Sequence, residues 1–229
     1  MNEIEGFPTL PFTVVPSLLE HLFRLLCAER SPKSQREVID IYMTAFFNAW
    51  MDNQGLRDEP KRWVAAFAPR TAWGESRARF FGDYTDGRLI SLLREPRAWY
   101  ASASQFSGRY GELDEALELW LRGASELAAA KREDPGRTLL ISYETLVADT
   151  ERVMRSIADW LEIDWAPSLL TPTFNRLPVR ANSSFDLVGT NVSEESVERW
   201  RATLTPDIIA VVEERTSEAF REASVLADL

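Results

Sequence analysis

The chain has 229 residues, of which 45% are apolar and 27% charged, and its formal net charge is −10 at pH 7. That length and mixture suit a globular chain with a sizeable core, not a disordered one. The acidic balance makes the chain a poor candidate for nonspecific nucleic-acid binding, which needs a basic footprint, and argues against an anionic membrane surface. An anionic nucleotide stays open, because a small local cluster of arginines is enough to hold one.

Residues 1–16 carry Pro8, Pro11 and Pro16 and read as an extended lead-in. Ser17 then caps a helix whose buried side is expected to hold Leu18, Leu19, Leu22, Phe23, Leu25 and Leu26. Cys27, the single cysteine, falls in that pattern and is expected to be a buried structural thiol. His21, the single histidine, shares the polar side with Glu20 and Arg24 and reads as solvated rather than as a catalytic base. With one cysteine and one histidine, no metal site is expected. No apolar run approaches the ~18 residues that span a bilayer. The acidic start lacks the basic lead of an export signal. A cytoplasmic protein without a membrane partner is the expectation.

A second amphipathic helix is expected over 34–52, a loop over 53–60 and a proline-stopped strand over 62–69. Residues 73–82 read as a short helix and 83–87 as a turn. The next stretch is the most informative. Leu89 to Leu93 is an apolar run, Arg94-Glu95-Pro96-Arg97 a polar turn, and 98–106 a helix. Proline fits a helix start because its missing N–H would have no partner there. Helical spacing returns from Glu112 to about Asp134, a third short strand covers 138–142, and Tyr143-Glu144 leads into a helix ending near Leu161. Residues 163–192 read as irregular. Two helices close the chain, one after Ser193 with Val197, Trp200 and Leu204, and one from Thr205-Pro206 to about Ala223.

Strands alternating with helices predict an α/β fold, a parallel sheet with helices on both faces. Such sheets bind ligands at the carboxyl ends of their strands. Arg94 and Tyr143 each follow an apolar strand, so both are expected at that edge. An arginine offers a planar fork matched to a phosphate, and Ser102 adds a hydroxyl from the following helix.

At Arg94, Pro96 and Ser102, eight residues after the arginine, the chain resembles the sulfotransferases that use 3'-phosphoadenosine 5'-phosphosulfate. The run Leu139-Leu-Ile-Ser-Tyr-Glu-Thr-Leu146 resembles that family's strand ending in Tyr-Glu-x-Leu. The later segments Thr171-Pro-Thr-Phe-Asn175 and Asn182-Ser-Ser-Phe185 with Arg199-Trp-Arg201 are similar too. The resemblance implies a P-loop-containing nucleoside triphosphate hydrolase-like fold in one domain over 1–229. It implies a nucleotide co-substrate, with Arg94 and Ser102 on the 3'-phosphate, Tyr143 against adenine and Arg199 or Arg180 as a further phosphate contact. The reaction implied is transfer of a sulfuryl group to a hydroxyl or amine of a small-molecule or glycan acceptor.

Two departures stand beside the resemblance. No Pro-x-Ser-Gly-Thr loop, which wraps the 5'-phosphosulfate in relatives, follows a strand within 1–62, so an N-terminally incomplete fold is expected. Phe67 stands where many relatives have the lysine of Lys-x-Pro, with Arg70 the nearest cation, and no residue presents itself as the general base. Cations and N–H donors at the developing charge carry most of such a reaction. The alternative is therefore a noncatalytic nucleotide-binding or interaction protein derived from a sulfotransferase. A kinase would need Gly-x-x-x-x-Gly-Lys-Ser/Thr, which is absent from the sequence. Neither the acceptor nor the oligomeric state is legible.

Overall fold

The computed structural model describes residues 13–51, 53, 64–66, 70–106, 110–171, 173–174, 177–178 and 195–229. Its centre is a parallel pair, β1 (Leu89–Leu93) and β2 (Thr138–Ser142), in register from Leu89 opposite Thr138 to Leu93 opposite Ser142. The crossover between them is α4 (Pro96–Phe106) followed by α5 (Leu113–Glu133).

β2 is apolar through Leu139, Leu140 and Ile141, as a strand covered on both faces requires. On one face Leu140 packs with Leu93, with Trp120 and Ala124 of α5, and with Ala223 of α10 (Pro206–Val225). On the other, Leu139 and Ile141 meet Val153, Ile157 and Trp160 of α7 (Thr150–Leu161). β2's outer edge is taken by the last residues of the chain: Asp228 N–H donates to the Leu140 carbonyl at 2.8 Å, and Ser142 N–H to that of Leu229 at 2.9 Å. Asp228 Oδ2 also accepts the Leu140 N–H, while its Oδ1 lies 2.6 Å from Lys131 Nζ.

β1 is covered less fully. Its inward Leu93 is buried, but Ile90 and Leu92 are 44% and 50% exposed, and the α7 side chains among the described residues pack on Leu139 and Ile141 of β2.

The N-terminal part is a helical hairpin, α1 (Pro16–Arg30) and α2 (Gln35–Ala49), joined at its base by a Val14–Trp50 bridge. Ser34 caps α2 by accepting the Glu37 N–H. No residue of α1 is fully buried: Leu25 is 45% exposed and Cys27 half-buried, against the expectation of a buried stripe. Among the described residues α1 packs mainly on α2, and one helical neighbour covers only part of an apolar stripe. His21 is exposed.

α3 (Gly74–Asp83) lies along α5, where buried Arg77 bonds the carbonyls of Ala72 and Glu126 and pairs with Glu133. The helix expected after Tyr143 divides into α6 (Tyr143–Ala148) and α7 at Asp149, whose side chain caps α7 through the Arg152 N–H. A 3-10 turn at Pro167–Leu170 and an antiparallel pair, β3 (Thr173–Phe174) with β4 (Leu177–Pro178), replace part of the expected irregular region. The closing helix divides at Arg199 into α8 (Glu195–Glu198) and α9 (Trp200–Thr203). Within the strand expected at 62–69, residues 64–66 form no strand, and 62, 63 and 67–69, Phe67 included, lie outside the described residues. So do Arg180 and the segment 182–185.

Candidate functional site: the carboxyl edge of the parallel pair

The turn after β1 is built by its own residues. Pro96 opens α4, and Glu95 caps it: the Glu95 carboxylate accepts the Ala98 N–H at 2.8 Å and Arg97 Nε at 2.5 Å. Glu95 N–H is in turn accepted at 3.0 Å by Glu144 Oε1, from the start of α6. Glu144 Oε2 also takes the Ser142 hydroxyl at 3.1 Å, and Ser142 Oγ accepts the Thr145 N–H. One carboxylate therefore links the two strand ends. Trp120 of α5 adds an indole N–H to the Arg94 carbonyl at 3.2 Å.

On that platform Arg94 and Tyr143 meet, as their positions after the two strands predict. The Arg94 guanidinium lies 4.5 Å from the centroid of the Tyr143 ring, a cation–π stack. Arg94 Nη2 donates to the Ser196 carbonyl at 3.0 Å, and the Tyr143 hydroxyl and Ser196 Oγ are 2.8 Å apart. Arg94 Nε is buried and has no acceptor. Burial pushes the guanidinium down from its ordinary value, and the charge of Arg199 adds to that, while Tyr143, Glu144 and Glu95 act in the opposite sense. An arginine stays protonated under any such shift. The result is a half-buried cation with one orphaned buried donor and with no carboxylate of the described residues in ion-pair contact.

Ser102 stands half-buried on α4, six residues after Pro96, about 9 Å along the helix axis. No hydrogen bond joins it to Arg94 or Tyr143. The C-terminal elements dock beside it: Trp200 packs on Ala98 and Ala101, with Arg97 over its ring at 4.1 Å. Arg199, between α8 and α9, is thus on the same side of the fold as Arg94. Of the four expected residues, Arg94 and Tyr143 are in contact, Arg199 is close by, and Ser102 flanks them on the helix.

Two participants escape a reading of the sequence. Glu144 looks like one more surface acid, although its place beside Tyr143 was a signal. Ser196 carries no signal, because its approach to Arg94 depends on where a segment 102 residues away docks. A cavity of 530 Å³ lies at the opposite, amino end of the strands, lined by Arg77, Phe81, Glu133, Asp134 and Arg137. Its charges satisfy one another, Arg77 with Glu133 and Arg137 with Asp134, so it has no claim as the site. Among the described residues no cluster of His, Cys, Asp and Glu is arranged to hold a metal ion, and no helix is long and apolar enough to cross a membrane.

Among solved structures, a sulfotransferase domain from the curacin biosynthetic pathway superposes with a TM-score of 0.52, at 17% identity over 91% of this chain and 81% of that one. A sulfotransferase domain from the Synechococcus PCC 7002 olefin synthase gives 0.48, at 19% identity over 85% of this chain and 74% of that one. The first is a likeness of fold, and it agrees with the α/β sulfotransferase fold expected. No curated protein matches the chain. The profile of the sulfotransferase family matches residues 18–167, which include both strands, the Arg94 turn and Tyr143. With well over half of its length so matched, the chain belongs to the sulfotransferase family.

Proposed function

We propose that this chain, as one domain, binds 3'-phosphoadenosine 5'-phosphosulfate at the carboxyl edge of β1 and β2, with Arg94 and Ser102 on the 3'-phosphate, Tyr143 against the adenine and Arg199 as a further phosphate contact. The observation that carries the proposal is the state of Arg94. A half-buried guanidinium with no carboxylate of the described residues in ion-pair contact, holding one buried and unsatisfied N–H, is a poor structural element and a good anion receptor. Arg94 Nη2 is held by the Ser196 carbonyl, an oxygen acceptor of the kind a phosphate would supply. Nucleotide binding then requires α8 to yield that contact and lets Arg199 close on the same charge.

The co-substrate brings the sulfuryl group, and the acceptor is a small molecule or glycan with a hydroxyl or amine. The residues named here bind and orient the nucleotide half. Two measurements on the purified chain test the proposal: calorimetry with adenosine 3',5'-bisphosphate, and transfer of labelled sulfate to a panel of acceptors. Saturable binding with transfer supports it in full. Binding without transfer to any acceptor moves the chain to the noncatalytic alternative, and absence of binding defeats both.

A further inference from the structure

Arg94 and Tyr143 are neighbours by register. β1 and β2 run in parallel with Leu93 opposite Ser142, so the next residue of each, Arg94 and Tyr143, leaves the sheet side by side. Glu144 then ties the two exits together by accepting the Glu95 N–H at 3.0 Å. The backbone therefore sets the ring beside the arginine, and the guanidinium lies over its face, 4.5 Å from the centroid.

What orients this guanidinium differs from the other stacks of the site's surroundings. Arg36 over Tyr84, Arg97 over Trp200 and Arg137 over Phe81 each also pair with a carboxylate, of Asp86, Glu95 and Asp134. A charged acceptor of that kind fixes a guanidinium by its own geometry. Arg94 has no such partner among the described residues. Its side chain is held by the Tyr143 ring and by the Ser196 carbonyl at 3.0 Å. In the nucleotide reading, α8 gives up that carbonyl contact when the 3'-phosphate arrives. The ring is then the hold on the guanidinium that binding does not remove.

We infer that Tyr143 is a positioning residue that acts through Arg94, its ring fixing the plane of the guanidinium for the 3'-phosphate. The inference rests on the nucleotide reading and deepens it, because that reading assigns Tyr143 to the adenine only. With one face of the ring taken by Arg94, an adenine meets the other face or the edge. A free arginine loses rotamer freedom when it closes on an anion, whereas one laid on a ring has lost it beforehand. That gain exists only for a ligand carrying the 3'-phosphate. An adenine contact serves nucleotides with and without it alike.

The test compares the full chain with Tyr143→Phe and Tyr143→Leu. Phenylalanine keeps a ring face for the cation, and leucine removes it. Tyr143 is half-buried and leucine keeps apolar bulk there, so that variant folds. Calorimetry with adenosine 3',5'-bisphosphate and adenosine 5'-phosphate gives the preference for the 3'-phosphate. It is expected to stay within about twofold of the parent in Tyr143→Phe and to fall by about fivefold or more in Tyr143→Leu. Equal losses for both nucleotides in Tyr143→Leu overturn the inference and leave the nucleotide reading standing, with Tyr143 an adenine contact. A fall in Tyr143→Phe as large as that in Tyr143→Leu also overturns it, since the hydroxyl and not the ring would then be responsible. No preference in the parent defeats the nucleotide reading and the inference with it. A second readout needs no ligand. In a chain isotope-labelled at arginine, the Arg94 Nε–H resonance, assigned by its loss in Arg94→Gln, is expected to keep its position in Tyr143→Phe and to move in Tyr143→Leu, the other arginine lines staying in place. An Arg94 line unmoved in Tyr143→Leu overturns the inference whatever the nucleotides do.

Discussion

Glu144 offers the sharpest test of how the site is held. Its carboxylate accepts the Glu95 N–H at 3.0 Å and the Ser142 hydroxyl at 3.1 Å, and it adds a negative charge near Arg94. Glu144→Ala deletes the acceptor and the charge together. A hydrogen bond to a charged acceptor is worth about 1.5–3 kcal/mol, and the N–H left behind is half-buried. A loss of about 2 kcal/mol is therefore expected, which for a chain of this length lowers Tm by about 4–8 °C. Nucleotide affinity feels two opposed effects. Freeing the Arg94-Glu95-Pro96 turn weakens it, whereas removing a carboxylate beside Arg94 strengthens it. Glu144→Gln separates them, because its amide oxygen still accepts the Glu95 N–H while the charge is gone. The glutamine variant should keep its unfolding free energy within about 1 kcal/mol of the parent and bind adenosine 3',5'-bisphosphate at least as tightly. The alanine variant should bind more weakly. The assay is calorimetric unfolding paired with nucleotide titration. Equal losses in the two variants, or an unchanged Tm in Glu144→Ala, would refute the view that this acceptor fixes the turn.

Asp228→Ala removes the Lys131 ion pair and the acceptor of the Leu140 N–H on a fully buried strand. A loss of about 1–3 kcal/mol in urea unfolding is expected; a change within error would show that the chain's last residues do not hold β2's edge. Tyr100, buried against Leu117 and Val212, has its phenol pushed above its ordinary value mainly by burial, with the charge of Glu112 adding. Its contribution is whole below the unfolded-state value of about 10 and is lost as pH rises through the higher folded value. Tyr100→Phe should therefore flatten the fall in urea stability above about pH 10 relative to the parent; parallel profiles through pH 11 would contradict the assignment.

Much of this architecture is written locally. β1 and β2 are short apolar runs with a proline start or an Asx-type breaker beside them, so strand 89–93 and strand 138–142 emerge with their observed limits. α5 is equally plain, because its apolar residues repeat over six turns. The misses share a cause: they depend on capping or on distant partners. Asp149 looks like an ordinary helical acid until its carboxylate is seen to cap α7 and break the preceding helix. α1 has a periodic stripe, but periodicity does not say how many neighbours will cover it, and among the described residues α2 is its main cover. The meeting of Arg94 with Tyr143 follows from two strand ends, whereas that of Arg94 with Ser196 follows from no local pattern.

The central claim is that Arg94 grips the phosphate on the ribose 3' position. Calorimetry with adenosine 3',5'-bisphosphate and with adenosine 5'-phosphate, each on the parent chain and on Arg94→Gln, measures that grip directly, because the two ligands differ only in the 3'-phosphate. Charge-assisted bonds of about 1.5–3 kcal/mol correspond to a parent preference for the bisphosphate of about tenfold to a hundredfold. The account predicts that Arg94→Gln lowers this preference by about tenfold or more, Ser102 and Arg199 keeping the remainder, while affinity for the monophosphate stays nearly unchanged. A preference undiminished by the substitution would contradict it.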